Sequence, residues 1–221
     1  MAETTWTEEQ PTGPKKKSIP TWVWFCGGGC LLAVLLGVIA IGFGFRLINQ
    51  ARDPEVQWPK LAQVLPYDEP PPKEMTLIVG MHLVGDQYTF HDERGFQVQF
   101  QNHPGKDGTE GRKNMFAEEN PKFPQNMVAF KFTDLQPGTI QVQGRELRIL
   151  RMRMELADAL NKMIPEKDRG GMGSMAFVDL TPEGREGMLI AQFTRMQAGT
   201  DPVSDEEIRT ILKPFHVGPD R

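Results

Sequence analysis

Phe96-Gln97-Val98-Gln99-Phe100-Gln101 alternates a large apolar side chain with a glutamine at every step. Successive side chains of an extended chain point to opposite faces, so this period of two describes a strand with one face in a core and the other in a polar setting. One-sided strands belong to antiparallel sheets, since parallel strands are buried on both faces. Upstream, Leu77, Val79, Met81 and Leu83 alternate with Thr76, Ile78, Gly80 and His82. Gly85-Asp86 turns the chain into a strand over 87–91, and Asp92-Glu93-Arg94-Gly95 turns it again, giving a three-stranded meander.

Downstream, 103–125 is a long polar stretch with one short helical turn at Met115-Phe116-Ala117. Strands are expected over 126–132 and, after the turn Gln136-Pro137-Gly138, over 139–142. Gln143-Gly144 then tightens a hairpin into a strand over 146–154, with Leu150, Met152 and Met154 on one face. Leu156, Ala159, Leu160 and Met163 recur at helical spacing before Pro165. Strands over 174–180 and 187–196 are joined by Thr181-Pro182-Glu183-Gly184. Ser204 with Glu207 forms a capping box for a last helix with the apolar stripe Ile208, Ile211, Leu212 and Phe215. This element order predicts an α+β domain: a mainly antiparallel sheet with a C-terminal helix packed on it.

Ahead of it, Trp22 to Phe45 carries no charged residue and is long enough to cross a bilayer of roughly 30 Å as a helix. The apolar run exceeds a signal-peptide core and lies behind a long polar leader, so it is expected to stay uncleaved. The full fold expectation is therefore a single N-terminal transmembrane helix followed by the α+β domain. Its parts are a disordered cytoplasmic tail over 1–19, the transmembrane helix over 20–46 and a linker over 47–73. That linker holds a short helix and the spacer Tyr67-Asp68-Glu69-Pro70-Pro71-Pro72, and an extracytoplasmic domain follows over 74–221. Lys15, Lys16 and Lys17 set that orientation in the membrane. Within the apolar run, Cys26, Cys30, Ala33, Gly37, Ala40 and Gly44 repeat at heptad spacing as one stripe of small residues. Small residues let helix backbones approach closely, so the stripe is expected to pair with a second copy or with a different helix in the lipid bilayer.

Chemistry is sparse. The net charge of −4 (25 basic, 29 acidic) without a basic stripe argues against nucleic acid as partner. Both cysteines lie in the apolar run, which leaves the remainder without a thiol nucleophile or a Cys-based zinc site. Ser174, in Gly171-Met172-Gly173-Ser174-Met175-Ala176, lacks the second glycine of a nucleophile elbow, and Ser204 is taken as a cap. His82, His91, His103 and His216 form no metal-binding spacing, and His91-Asp92-Glu93 reads as a solvated turn. Met152 with Met154, and Met172 with Met175, bring together thioethers that soft Cu(I) accepts, but strand alternation places them as core. Lys167 and Arg169 before Gly170, Gly171 and Gly173 are followed by a strand rather than the helix a phosphate loop needs. No cofactor and no catalytic residue is expected.

Gly187-Met188-Leu189-Ile190-Ala191-Gln192-Phe193, then Ser204-Asp205-Glu206-Glu207-Ile208, then Ile211-Leu212-Lys213-Pro214-Phe215 give the C-terminal half a distinctive element order. In that order, from about 126 to 217, the chain resembles PsbP-type α+β domains. The resemblance implies a non-catalytic binding or assembly module and assigns no functional residue. The expected function is a membrane-anchored, non-catalytic accessory module of a bacterial-type cell envelope, working through protein contacts. The alternatives are a small-ligand or metal carrier using the loops at 103–125 and 165–173, and an envelope enzyme with concealed acid–base residues.

Overall fold

The computed structural model describes residues 46–68, 70–82, 85–122, 130–157, 171–196 and 201–218. Leu47–Arg221 make up one compact unit. Its seven strands are β1 (Met75–His82), β2 (Asp86–Asp92), β3 (Phe96–Pro104), β4 (Phe130–Val142), β5 (Arg145–Leu156), β6 (Gly171–Asp179) and β7 (Gly187–Arg195). They form one sheet in the order β1-β2-β3-β7-β6-β5-β4, every neighbouring pair antiparallel. Two meanders, β1 to β3 and β4 to β7, are thus fused where β3 pairs with β7.

Two short helices and the chain end cover one face. Helix α1 (Pro54–Val64) starts from Asp53, whose side chain accepts from the Glu55 N–H, with proline in its first turn. Helix α3 (Asp205–Leu212) carries the Ser204–Glu207 capping box in both directions. Beneath them, Phe90, Phe100, Phe193 and Phe215 are fully buried with Leu61, Ile149 and Ile211. Ring contacts link Trp58 to Phe90 at 4.7 Å and Phe100 to Phe215 at 4.7 Å, the tilted geometry that aromatic pairs favour. The β4–β5 turn puts both Gln143 and Gly144 at positive φ. Gln143 keeps that uncommon conformation while its side chain clamps the C-terminal tail, donating to the Phe215 carbonyl and accepting from the Val217 N–H.

Helix α2 (Gly105–Met115) lies on the opposite face, against β3 and β7. A smaller core there holds Phe116, Phe132, Leu150, Met152, Met154, Met175, Phe177, Met188 and Ile190.

The structure corrects the expected fold class. Among the described residues no helix is long and apolar enough to cross a membrane. The longest named helices have 11 residues, which at about 1.5 Å per residue reach roughly half of a 30 Å hydrocarbon layer. What stands is a seven-stranded antiparallel sheet with few and short helices. The apolar run with Cys26, Cys30, Ala33, Gly37, Ala40 and Gly44 lies outside the described residues, as does most of the helix expected before Pro165. Residues 46–52 are helical.

Three local expectations also change. In β1 a bulge between Leu77 and Val79 reverses the alternation, so Met81 is 41% exposed while Gly80 faces inward. A side chain at 80 would collide with Gln57 of α1, so the bulge and the glycine together let that helix sit close. The turn expected at Gln136-Pro137-Gly138 is instead the middle of β4. A bulge between Thr133 and Gln136, with Asp134 at φ 52°, absorbs the irregularity, and an edge strand tolerates a proline without an N–H. The polar stretch from 105 folds as α2 despite three glycines, because Arg112 and Phe116 tie it to the sheet.

Candidate functional site

The alternation that made β3 a strand also decides what its second face presents. Phe96, Val98 and Phe100 enter the larger core, so Gln97, Gln99 and Gln101 project to the α2 side. Register places Gln97 opposite Thr194 and Gln99 opposite Gln192 on β7. Their amides join into one chain: Gln99 donates to the Thr89 hydroxyl at 3.1 Å, and Gln101 donates to Gln99 at 2.6 Å and to Gln192 at 3.1 Å. Gln192 in turn donates to the Thr194 hydroxyl at 3.1 Å. Cross-strand partners thereby hold the amides of Gln99, Gln101 and Gln192 in one orientation.

Beside this wall runs an apolar floor. Met154, Met175, Phe132 and Phe177 are almost wholly buried, while Met115 and Phe130 are partly covered and Met196 is 53% exposed. Together the amides, thioethers and rings line an open groove of about 520 Å³, within the size range of ligand sites. Among the described residues, none of its lining side chains is charged.

Gly173 shapes the far end. A Cβ there would overlap the Arg195 carbonyl and lie 3.3 Å from the Met196 Cα. The missing side chain lets the chain leaving β7 pass over β6, and so carries Met196 onto the groove. At the other end α2 is fastened by a buried carboxylate. Asp179 accepts from Arg112 at 2.8 Å and from Arg148 at 2.7 Å, and Arg148 lies over the Phe116 ring at 5.6 Å. Gly108 meets the His103 carbonyl where a Cβ would go, and Thr109 accepts from the Gly187 N–H at 2.7 Å. The helix therefore covers the Asp179–Gly187 end of this face and leaves the Arg195 end uncovered.

The serines and histidines outside the groove do not meet at one place. Ser174 shares a face with Ala176 and Val178 in the larger core, and its buried hydroxyl has no hydrogen-bond partner among the described residues. Ser204 is held by its cap. His91 is exposed, His103 contacts Gln101 at 3.4 Å, and His216 pairs with Asp68 at 2.6 Å. His82 places its two ring nitrogens against Asp86 Oδ1 at 2.8 Å and Gln57 Oε1 at 3.0 Å. Partial burial pushes the Asp86 carboxyl up, but hydrogen bonds from His82 and Asn102 and the pull of His82 and Lys60 outweigh it and hold it below the usual carboxylate range. Burial, then the Asp86 charge, drives the Tyr88 phenol up. Among the described residues no group of three or more His, Cys, Asp or Glu is arranged to hold a metal ion. Gly171 and Gly173 belong to a strand rather than a loop, and Lys167, Arg169 and Gly170 lie outside the described residues.

Sequence alternation locates the glutamines but reads them as solvated. Nothing local predicts that β7 completes their wall, since β3 and β7 lie more than 80 residues apart in the chain. No protein-family model matches the chain, and neither a curated protein nor a solved structure matches it.

Proposed function

We propose that this domain is a non-catalytic accessory module that acts through protein contacts, with the amide-walled groove as its contact surface. The observation that carries this is the groove's lining: hydrogen-bonded amides along one side, adaptable thioethers and rings along the other, and no charge among the described residues. Amides present donors and acceptors to a polypeptide backbone, and methionines repack around varied apolar side chains. A lining of amides, thioethers and rings favours an uncharged apolar segment over a hard ionic ligand, which would lose its hydration without compensation.

The sheet edges support the same choice. Both edge strands, β1 and β4, carry bulges, and β4 also carries Pro137, features that oppose pairing with an added strand. The grooved face is the more available surface. The buried carboxylate of Asp179 is taken up by Arg112, which fastens α2, and by Arg148, which reaches the surface outside the groove. The resemblance to PsbP-type domains points to the same class of role.

A photoreactive amino acid at position 99, in cells making the full chain, tests this directly. Discrete protein adducts are expected from position 99 and not from position 78 on the β1 edge. Gln192→Lys, which places a charge in the groove, should abolish them while leaving the fold intact. Adducts of equal yield from both positions, or adducts indifferent to Gln192→Lys, would remove the groove as the contact surface.

A further inference from the structure

Three of the groove methionines surround one glycine. Met154 on β5 is the register partner of Gly173 on β6, and partners across an antiparallel pair lie about 4.5–5.5 Å apart at their Cα atoms. Met175 follows two residues along β6 on the same face, about 7 Å away. The Met196 Cα lies 3.3 Å from where a Gly173 Cβ would stand. Three flexible thioether side chains, each reaching several ångströms, thus come from three separate segments to one patch at the uncovered end of the groove. Met154 and Met175 are 2% and 6% exposed, whereas Met196 is half in solvent and gives an ion a way in.

Thioether sulfur is a soft, neutral donor that suits Cu(I) and is a poor ligand for hard cations. A neutral donor set leaves the ion's charge uncompensated. That is tolerable for one charge and far less so for two, because the cost of desolvation rises steeply with charge. Among the described residues the lining contains no carboxylate or imidazole that would favour a harder, divalent ion. We propose that Met154, Met175 and Met196 bind one soft monovalent metal ion, Cu(I) or the redox-inert Ag(I). The donors line the same groove as the proposed contact surface, so a bound metal ion and a docked partner would compete, while metal binding by the chain alone does not require the protein-contact reading.

The test uses the full chain with Cys26→Ser and Cys30→Ser, because those thiols would otherwise capture the metal. Under reducing, oxygen-free conditions the protein competes with a chromophoric Cu(I) chelator. One Cu(I) per chain is expected. Each of Met154→Leu, Met175→Leu and Met196→Leu should weaken binding about tenfold and the triple variant at least about a hundredfold, while volume is conserved and folding kept. Met152→Leu and Met188→Leu, in the same core but off the groove, should change nothing. Ag(I) should shift the ε-methyl NMR signals of the three proposed ligands alone. Absence of Cu(I) uptake by the folded thiol-free chain would overturn the site. So would binding that survives in the triple leucine variant, or that falls equally with Met152→Leu.

Discussion

The two faces of this sheet are made from the same strands yet finished differently. One is sealed by α1, α3 and the C-terminal tail over an aromatic core of Trp58, Phe90, Phe100 and Phe215. The other carries the glycine-rich helix α2 over one end, with amides and thioethers along the rest. Rigid rings with fixed contacts specify one packing, whereas methionines tolerate several. The sealed face is accordingly expected to contribute most to stability, and the half-covered face leaves a groove open.

That contrast can be broken most directly by truncating one anchor on the sealed side. Phe100→Ala removes a fully buried ring touching Phe90 and Phe215, and should cost about 3–5 kcal/mol in urea unfolding. A loss below about 1 kcal/mol would mean that the aromatic core is not the stabilising one.

Gly173→Ala probes the joint between β6 and the chain leaving β7. The new methyl meets backbone rather than a yielding side chain, so a cost of about 1–3 kcal/mol is expected, with altered groove contacts at Met196. Wild-type stability would show that the crossing chain yields to a methyl group. Ser204→Ala removes one half of the capping box on α3, and a smaller loss of about 1 kcal/mol should appear in the same measurement.

Acid sharpens the comparison further. Burial raises the Glu207 carboxyl, but bonds from Ser204 and the charge and hydrogen bond of Arg195 bring it below its ordinary value, as His82 and Asn102 do for Asp86. A carboxyl depressed by folding stabilises the native state above its unfolded pKa, about 3.9 for Asp and 4.3 for Glu. That contribution disappears as pH falls through the folded value. The urea midpoint should therefore drop below about pH 4, and Glu207→Gln should flatten that drop. An unchanged acid limb in the variant would show that the α3 cap has no share in it. The smallest effect is expected on the open side: Met196→Ala, at 53% exposure, should stay within about 0.5 kcal/mol. A loss like that of Phe100→Ala would mean that this face is closed too.

By itself the sequence determined the strands and their inner faces wherever period and turn chemistry agreed. The alternation at 96–101, the Gln143-Gly144 turn and the Ser204–Glu207 cap are local signals, and each describes its own element. Only the tertiary structure decided what those elements face. The β1 bulge exchanged Met81 for Gly80 because α1 needed a close approach, and Pro137 stayed in β4 because an edge strand needs no N–H on its outer side. Helix α2 formed from a segment with little helical preference because Asp179, far along the chain, holds Arg112. The groove is decided at the same level. Gln97, Gln99 and Gln101 are one row of polar residues until β7 adds Gln192 and Thr194, and Met196 joins Met154 and Met175 in lining one groove where Gly173 leaves room for the crossing chain. Side-chain direction follows from a period of two residues, whereas a site depends on which distant strands the packing makes neighbours.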